Sequence, residues 1–469
     1  MESRDTIAAI ATGMTDSGIG VIRISGTDAV EVGNRLFRSP SGKEILNHAM
    51  SHMMYYGYAF DMECHEMIDE VMAVVMKAPR SFTGEDTVEI QCHGGILVMG
   101  KILEAVLING ARLAEPGEFT KRAFLNGRLD LSEAEAVMDV ISSQSDAALS
   151  ISLKQLKGEL SRKIRELRKS ILYEIAFIES ALDDPEHISL EAYPNKLFEK
   201  INTLSNEIEN LIRTADQGRL IKEGVNTVIV GKPNAGKSSL LNALLGEDRA
   251  IVTDIAGTTR DVLQETMRIG NVCLNVVDTA GIRNTENAVE KIGVEKARQY
   301  AVEAELLVHV VDGARELDES DRDILSLIKN QKVIVLLNKK DLDHVLGEED
   351  VIRFYQQLLP EREKPMILKI SAKDGAGIEE FKKAVEEMFY QGAIRNSNEI
   401  IITNIRHKKA LQEAFESLKL VKQSIQNGLP EDFYSIDLMN AYGALGRIIG
   451  EEVDDDLVEE IFSRFCMGK

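Results

Sequence analysis

The chain has 469 residues, enough for about three domains of ordinary size. Apolar residues make up 44% and charged residues 28%, the balance of a soluble protein with substantial cores. Its 77 acidic residues outnumber 55 basic ones for a net charge of −22, which excludes a protein that coats nucleic acid through a broad cationic surface and leaves room only for a local basic patch.

No apolar run approaches the ~18 residues that a membrane-spanning helix needs. The longest, such as Val333 to Leu337, are strand-sized. The first residues lack the basic start and apolar stretch of a signal peptide. Four cysteines stand at 64, 92, 273 and 466, with no metal-ligand or redox spacing. So few in so long a chain fit free thiols in a reducing compartment, here the cytoplasm. Cys64-His65 and Cys92-His93 are suggestive dipeptides, but a zinc site needs two further ligands at suitable spacing.

Residues 1–125 alternate short β-like runs (Gly20 to Ile24, Val71 to Met76, Thr87 to Gln91) with turns, which predicts a compact α+β domain. From Leu131 the pattern turns helical and stays so to about Leu220. Ser132, with Glu135 three residues on, reads as a capping box before Val137, Met138 and Ile141. A long apolar stripe follows: Leu149, Leu153, Leu156, Leu160, Ile164, Leu167, Ile171 and Ile175. The Lys and Arg between them read as a solvated helix face. Over 223–390, β-branched strands alternate with amphipathic helices: Thr227 to Val230, Val272 to Val277, Leu306 to Val311, Val333 to Leu337 and Ile367 to Ile370. That predicts a doubly wound, mostly parallel α/β sheet. Residues 391–469 are helical again. Segments 126–222 and 391–469 therefore read as one α-helical domain into which the α/β domain is inserted. Seven acidic residues in Glu451 to Glu460 read as a solvated face.

The chemistry concentrates in the α/β segment. GKPNAGKS, Gly231 to Ser238, follows a strand and precedes a helical run, the context a P-loop requires. Backbone N–H groups of such a loop turn inward around phosphates. Lys237 is placed to reach the β- and γ-phosphates, and Ser238 to ligate Mg²⁺. Asn234, Ala235, Gly236 and Ser239 complete the loop. Asn338-Lys339-Lys340-Asp341 follows the fourth strand. A carboxylate at Asp341 accepts from guanine N1–H and N2–H₂, donors that adenine lacks there. Ser371-Ala372-Lys373, after the fifth strand, offers a backbone N–H to guanine O6. Asp278-Thr279-Ala280-Gly281 supplies an aspartate near Mg²⁺ and a glycine N–H for the γ-phosphate. Thr253, Asp254, Ile255, Ala256, Gly257, Thr258 and Thr259 lie where the first switch belongs, with Thr259 a second Mg²⁺ ligand. Four such motifs in order predict a GTP-binding domain. The residue after Gly281 is Ile282, where Ras-like proteins have a water-orienting glutamine. Isoleucine neither orients water nor carries charge, so activation must come from elsewhere.

GKPNAGKSSLLNALL and VTDIAGTTRD resemble the MnmE (TrmE) family of bacterial tRNA-modifying GTPases. The likeness continues in DTIAAIAT, GIGVIRISG, SFTGEDTVEIQCHGG, PGEFTKRAFLNGRLDLSEAEAV and the C-terminal FCMGK, and so spans the whole chain. It implies an N-terminal domain that dimerises and binds 5-formyl- or methylene-tetrahydrofolate. The matching positions are Arg23, Glu89, Arg128 and Lys469. Arg128 replaces the family's usual lysine, keeping the cation but changing donor geometry. The resemblance also implies K⁺ activation through Asn234, Thr253, Ile255 and Thr258, with Glu290 activating water. It implies a flavoprotein partner of the MnmG (GidA) family that carries FAD and uses NADH. Together they modify carbon 5 of the tRNA wobble uridine with an aminomethyl or carboxymethylaminomethyl group. Cys466 matches a cysteine important for that modification, and Met467 replaces the usual branched aliphatic residue. The alternative is a ribosome-assembly GTPase of the Era or EngA type. That predicts a KH-like or second G domain, and neither pattern is visible.

Overall fold

The computed structural model describes residues 5–61, 66–184, 186–187, 193–245, 264–277, 300, 304–326, 328, 331–390, 399–453, 455–466 and 468. They form two compact units: 1–141, 153–202 and 413–469 in one, 142–152 and 203–412 in the other.

The first unit opens on β1 (Ile7–Ile10), β2 (Ser17–Ser25), α1 (Ala29–Leu36), β3 (Phe37–Arg38), β4 (Met53–Asp61), β5 (Glu66–Met76), β6 (Thr87–Gly94), α2 (Ile96–Ile108), β7 (Arg112–Leu113) and α3 (Glu118–Leu125). The sheet order is β3-β4-β5-β6-β2-β1-β7. It is antiparallel except for the β1–β7 pair. Period-2 alternation sends Ile22, Ile24, Val88, Ile90, Ala73 and Val75 to one face, buried with Val32, Met99 and Ile102 of the helices. Arg23 and Glu89, which alternate with these residues, therefore share the opposite face, and the register sets them directly across from each other.

Helices α4 (Leu131–Ser142), α5 (Asp146–Leu156), α6 (Glu159–Asp183) and α7 (Tyr193–Glu223) follow. Three details differ from the sequence reading. The capping box of α4 is shifted by two residues. Asp130 Oδ1 accepts from Glu133 N–H at 3.0 Å, and Glu133 Oε2 accepts from Asp130 N–H at 2.9 Å. Ser132 is buried and donates its hydroxyl to Asp130 at 2.7 Å. Asp-x-x-Glu satisfies the two orphan N–H groups as well as Ser-x-x-Glu does, and the residue outside the first turn takes the role. The long stripe belongs to two helices, with Gly158 at φ +76° between α5 and α6. Finally, the cations of α6 do not all face water. Arg162, Arg165 and Lys169 are exposed, but Arg168 is buried. Its guanidinium lies 3.9 Å from the Tyr442 ring centroid and pairs with Glu451 and, at 3.3 Å, with Glu452.

The α/β segment runs β8 (Val225–Val230), α8 (Lys237–Leu245), β9 (Gln264–Ile269), β10 (Val272–Val277), β11 (Leu306–Asp312), α9 (Glu319–Leu325), β12 (Lys332–Asn338), α10 (Glu348–Leu358), β13 (Met366–Lys369) and α11 (Ile378–Phe389). The sheet order is β13-β12-β11-β8-β10-β9. Neighbours are parallel except β9 and β10. Leu240, Leu241, Phe381 and Val385 cover one face; Leu325, Val351 and Tyr355 cover the other. The doubly wound, mostly parallel fold agrees with the sequence reading. Strand β9 is an addition. It is a hairpin partner joined to β10 through Gly270 and Asn271, and Met267 and Ile269 give it an inward face.

The chain ends in α12 (Ile405–Gln426), α13 (Glu431–Ile449) and α14 (Asp455–Ser463). Helix α6 packs along α13, with Ile164, Leu167 and Ile171 buried on one and Leu438, Ala441 and Leu445 on the other. Among the described residues no helix is long and apolar enough to cross a membrane.

Candidate functional site

Three of the predicted nucleotide motifs, the phosphate loop, Asn338 to Asp341 and Ser371 to Lys373, stand at the carboxyl ends of β8, β12 and β13. After β8 the chain adds β9 and β10 on one side and then crosses to β11 on the other. That reversal opens the crevice where doubly wound sheets bind ligands. Lys237, the first residue of α8, donates from Nζ to the carbonyls of Gly231 at 2.7 Å and Lys232 at 2.9 Å. The loop is thereby closed on its own lysine. Ser238 and Ser239 are exposed at the start of α8, and Asn234 is exposed at φ +64°.

Asn338 joins this loop to the others. Its Nδ2 donates to Ala235 O at 2.7 Å, and its Oδ1 accepts from Ala372 N–H at 2.9 Å. Gly236, at φ +105°, passes so close that a Cβ would run into Asn338 Nδ2. Of the backbone donors expected to face the base, Ala372 N–H is thus already engaged by Asn338. The Ser371 hydroxyl lies 3.1 Å from both Asp341 Oδ1 and Asp374 Oδ2, so its single proton, shared between the two, helps orient the Asp341 carboxylate. Lys339, at φ +70°, donates to Asp312 Oδ2 at 2.6 Å. Burial works against the charge of Asp312. The Lys339 hydrogen bond, the Ala314 N–H and the nearby Arg315 together outweigh it and hold the carboxyl below its ordinary range. Sequence reasoning missed Asp312, although an aspartate ending a buried strand beside Gly313 was a usable signal.

A second cluster forms in the first unit. Arg23 Nε donates to Glu89 Oε1 at 2.8 Å. Its guanidinium carbon sits 5.5 Å from the Phe82 ring centroid and 5.7 Å from that of Phe119. Arg23 Nη1 also lies 3.5 Å from the carbonyl of Gly468, near the chain end. Phe462 and Phe465 anchor that tail beside Phe124 and Leu131, and Gly117 N–H approaches Cys466 O at 3.4 Å. Cys466 is half-buried. Arg128 is exposed after α3, and among the described residues no contact joins it to Arg23 or Glu89. Phe82 and Phe119 are functional candidates that sequence reasoning passed over, although they stand in the SFTGEDT and PGEFT segments. Burial pushes the Cys92 thiol up to about 11, with Asp69 adding to the effect. Thr253, Asp254, Ile255, Ala256, Gly257, Thr258, Thr259, Asp278, Thr279, Ala280, Gly281, Glu290 and Lys469 lie outside the described residues, as do Cys64 and His65.

Residues 6–128 match a family model described as the GTP-binding protein TrmE N-terminus, and residues 131–466 match the MnmE helical domain. The chain belongs to the MnmE (TrmE) family of tRNA modification GTPases. It is 56% identical over 465 residues to the tRNA modification GTPase MnmE of Lachnoclostridium phytofermentans, covering 99% of each chain. It is 48% identical to that of Clostridioides difficile, again over 99% of each, and 45% identical to that of Acetivibrio thermocellus over 100% of each. Among solved structures, a variant of Aquifex aeolicus Era bound to GDP and AlF4⁻ is 30% identical over 42% of this chain and 67% of that one, with a TM-score of 0.28, too loose a likeness to inform the site. Family membership covers the N-terminal segment, which the ribosome-assembly alternative leaves unexplained. As a GTPase of this family the chain takes GTP with Mg²⁺, and tRNA is the substrate the family modifies.

The docked tail makes a direct test. Gly468 has φ +84°, and a Cβ there would strike Ile10 O. Gly468→Val should release the tail, so that a thiol reagent labels Cys466 several-fold faster, scored on the Cys466 peptide by mass spectrometry. An unchanged labelling rate would contradict the docking.

Proposed function

We propose that this chain is a potassium-activated GTPase that works with an FAD- and NADH-using flavoprotein of the MnmG (GidA) family. Together they add an aminomethyl or carboxymethylaminomethyl group to carbon 5 of the wobble uridine of certain tRNAs. The observation that carries the nucleotide half is the Asn338 bridge, which joins the phosphate loop to the base loop. Asp341, oriented by Ser371, accepts from guanine N1–H and N2–H₂. Lys237 exchanges the carbonyls of Gly231 and Lys232 for the β- and γ-phosphates. The backbone of Asn234, Ala235, Gly236, Ser238 and Ser239 wraps the phosphates.

Ser238 offers an exposed hydroxyl oxygen, a hard donor that suits Mg²⁺, with Thr259 as its companion. The exposed Asn234 carboxamide suits a larger cation, K⁺, together with oxygens of Thr253, Ile255 and Thr258. Such cations, when bound, neutralise charge on the phosphate oxygens and on the β–γ bridge. Glu290 takes the water-activating role that Ile282 leaves open.

The modification half belongs to the first unit. Arg23 and Glu89 present a guanidinium and a carboxylate on one sheet face, chemistry that suits the glutamate tail and pterin donors of a 5-formyl- or methylene-tetrahydrofolate. Arg128, which stands apart from the Arg23–Glu89 pair, and Lys469 are the further cations that family likeness assigns to that ligand, and Cys466 serves the modification. Met54 and Tyr56 are exposed on the same face of β4, an apolar surface that supports a homodimer. The compartment is the cytoplasm.

Asp341→Asn should move preference from GTP to xanthosine triphosphate, because the amide donates to xanthine O2 where the carboxylate accepted from N2–H₂. Competition binding with both nucleotides checks this, and undiminished GTP preference would show that Asp341 does not read the base. Potassium should raise turnover over sodium by roughly a hundredfold at equal ionic strength, the scale of one well-placed charge donor. Asn234→Ala should lose that response and Glu290→Ala should lower turnover with nucleotide affinity kept. Equal rates in the two salts would remove the cation from the account.

A further inference from the structure

Lys232 is the second residue of the phosphate loop, yet its side chain is already engaged elsewhere. Its Nζ lies 2.6 Å from Asp321 Oδ2 and 3.0 Å from Asp318 Oδ2. These two carboxylates form the capping box of α9: Asp318 Oδ1 accepts from Ser320 N–H at 2.9 Å, and Asp321 Oδ2 accepts from Asp318 N–H at 3.0 Å. Asp321 is 1% exposed. Behind it lies His309, fully buried on β11 and opposite Val230 in the strand that feeds the loop. His309 Nδ1 and the Tyr355 hydroxyl are 2.8 Å apart. Burial holds the imidazole neutral, down to about 3, with Lys232 and Lys237 adding to the effect. Which of Nδ1 and the Tyr355 hydroxyl donates follows the tautomer of the neutral ring, whose other nitrogen is Nε2. That nitrogen has no hydrogen-bond partner among the described residues and lies 4.0 Å from Asp321 Oδ1.

The main-chain carbonyl of Lys232 is one of the two that hold Lys237 Nζ. When Lys237 turns to phosphate, those two bonds are lost, and the loop must keep its shape by other means. A cation shared by two carboxylates has little charge left for phosphate, so Lys232 contributes by geometry. We propose that Lys232 is a positioning residue for the nucleotide: its ion pair with Asp321, backed by His309 and Tyr355, tethers the entry of the phosphate loop to α9 and keeps it shaped when Lys237 leaves the loop carbonyls. This inference rests on the guanine-nucleotide reading above.

Binding of fluorescent GDP and a GTP analogue to the full chain tests it, using Lys232→Met, Lys232→Arg, Asp321→Asn and the Lys232→Met, Asp321→Asn double variant. Thermal melts check that each variant folds. Lys232→Met should weaken both nucleotides alike, by about tenfold, the scale of one charge-assisted hydrogen bond. Turnover at saturating GTP should barely move. Lys232→Arg should restore affinity, and the double variant should bind no more weakly than Lys232→Met alone. Wild-type affinity in folded Lys232→Met would overturn the tether, as would losses that add in the double variant, which would mean that Lys232 meets the nucleotide directly. Failure of the unaltered chain to bind guanine nucleotide would overturn the guanine-nucleotide reading instead.

Discussion

The nucleotide half of this protein depends on one buried carboxamide. Asn338 ends β12 with a donor and an acceptor aimed in opposite senses, one at the carbonyl of Ala235 and the other at the N–H of Ala372. No other side chain of that size carries the donor and the acceptor on separate atoms. Aspartate has no donor and leucine has neither group, and either would leave a buried backbone group unpaired. The bond to Ala235 reaches into the phosphate loop, while the bond to Ala372 reaches the loop that follows β13. Two loops far apart in sequence thus become one rigid rim across the carboxyl ends of the strands. The close pass of Gly236 and the orientation of Asp341 by Ser371 follow from that rim.

The first unit is organised around a different pair. Arg23 and Glu89 face each other across two antiparallel strands, and their alternation with buried isoleucines and valines fixes which face they share. Phe82 and Phe119 flank the guanidinium, and the tail brings the Gly468 carbonyl to it. Four stretches of chain meet at one cation. Packing of Phe462 and Phe465 beside Phe124 and Leu131 explains why the tail is ordered enough to do so. Burial of those rings supplies the driving force, and the single long contact to Arg23 adds direction.

Much of this was legible in the sequence, and the exceptions have physical causes. The phosphate and base loops were readable because glycine, lysine and aspartate at fixed spacing after apolar runs have few other uses. The α4 cap was misassigned by two residues because Ser132 and Asp130 each have a glutamate three positions on, and only backbone geometry decides between them. The stripe from Leu149 to Ile175 kept its period across Gly158, so periodicity alone joined two helices. Strand β9 was missed because an edge strand buries only alternate residues, although Gly270-Asn271 was a hairpin signal. Arg168 looked like any surface cation, since nothing local announces that Tyr442 and two glutamates lie across from it. The Arg23–Glu89 pair was named through family likeness, whereas its aromatic flanks and the tail required the fold.

The central claim is that nucleotide hydrolysis and tRNA modification use separate residue sets, with the docked C-terminal tail belonging to the second. The most direct measurement is the nucleoside composition of tRNA from cells whose only copy of the chain ends after Phe465, set beside the GTPase rate of the same purified protein. The account predicts that the wobble-uridine carbon-5 modification disappears while GTP hydrolysis stays near that of the full chain. Intact modification, or a loss of hydrolysis in step with modification, would contradict it.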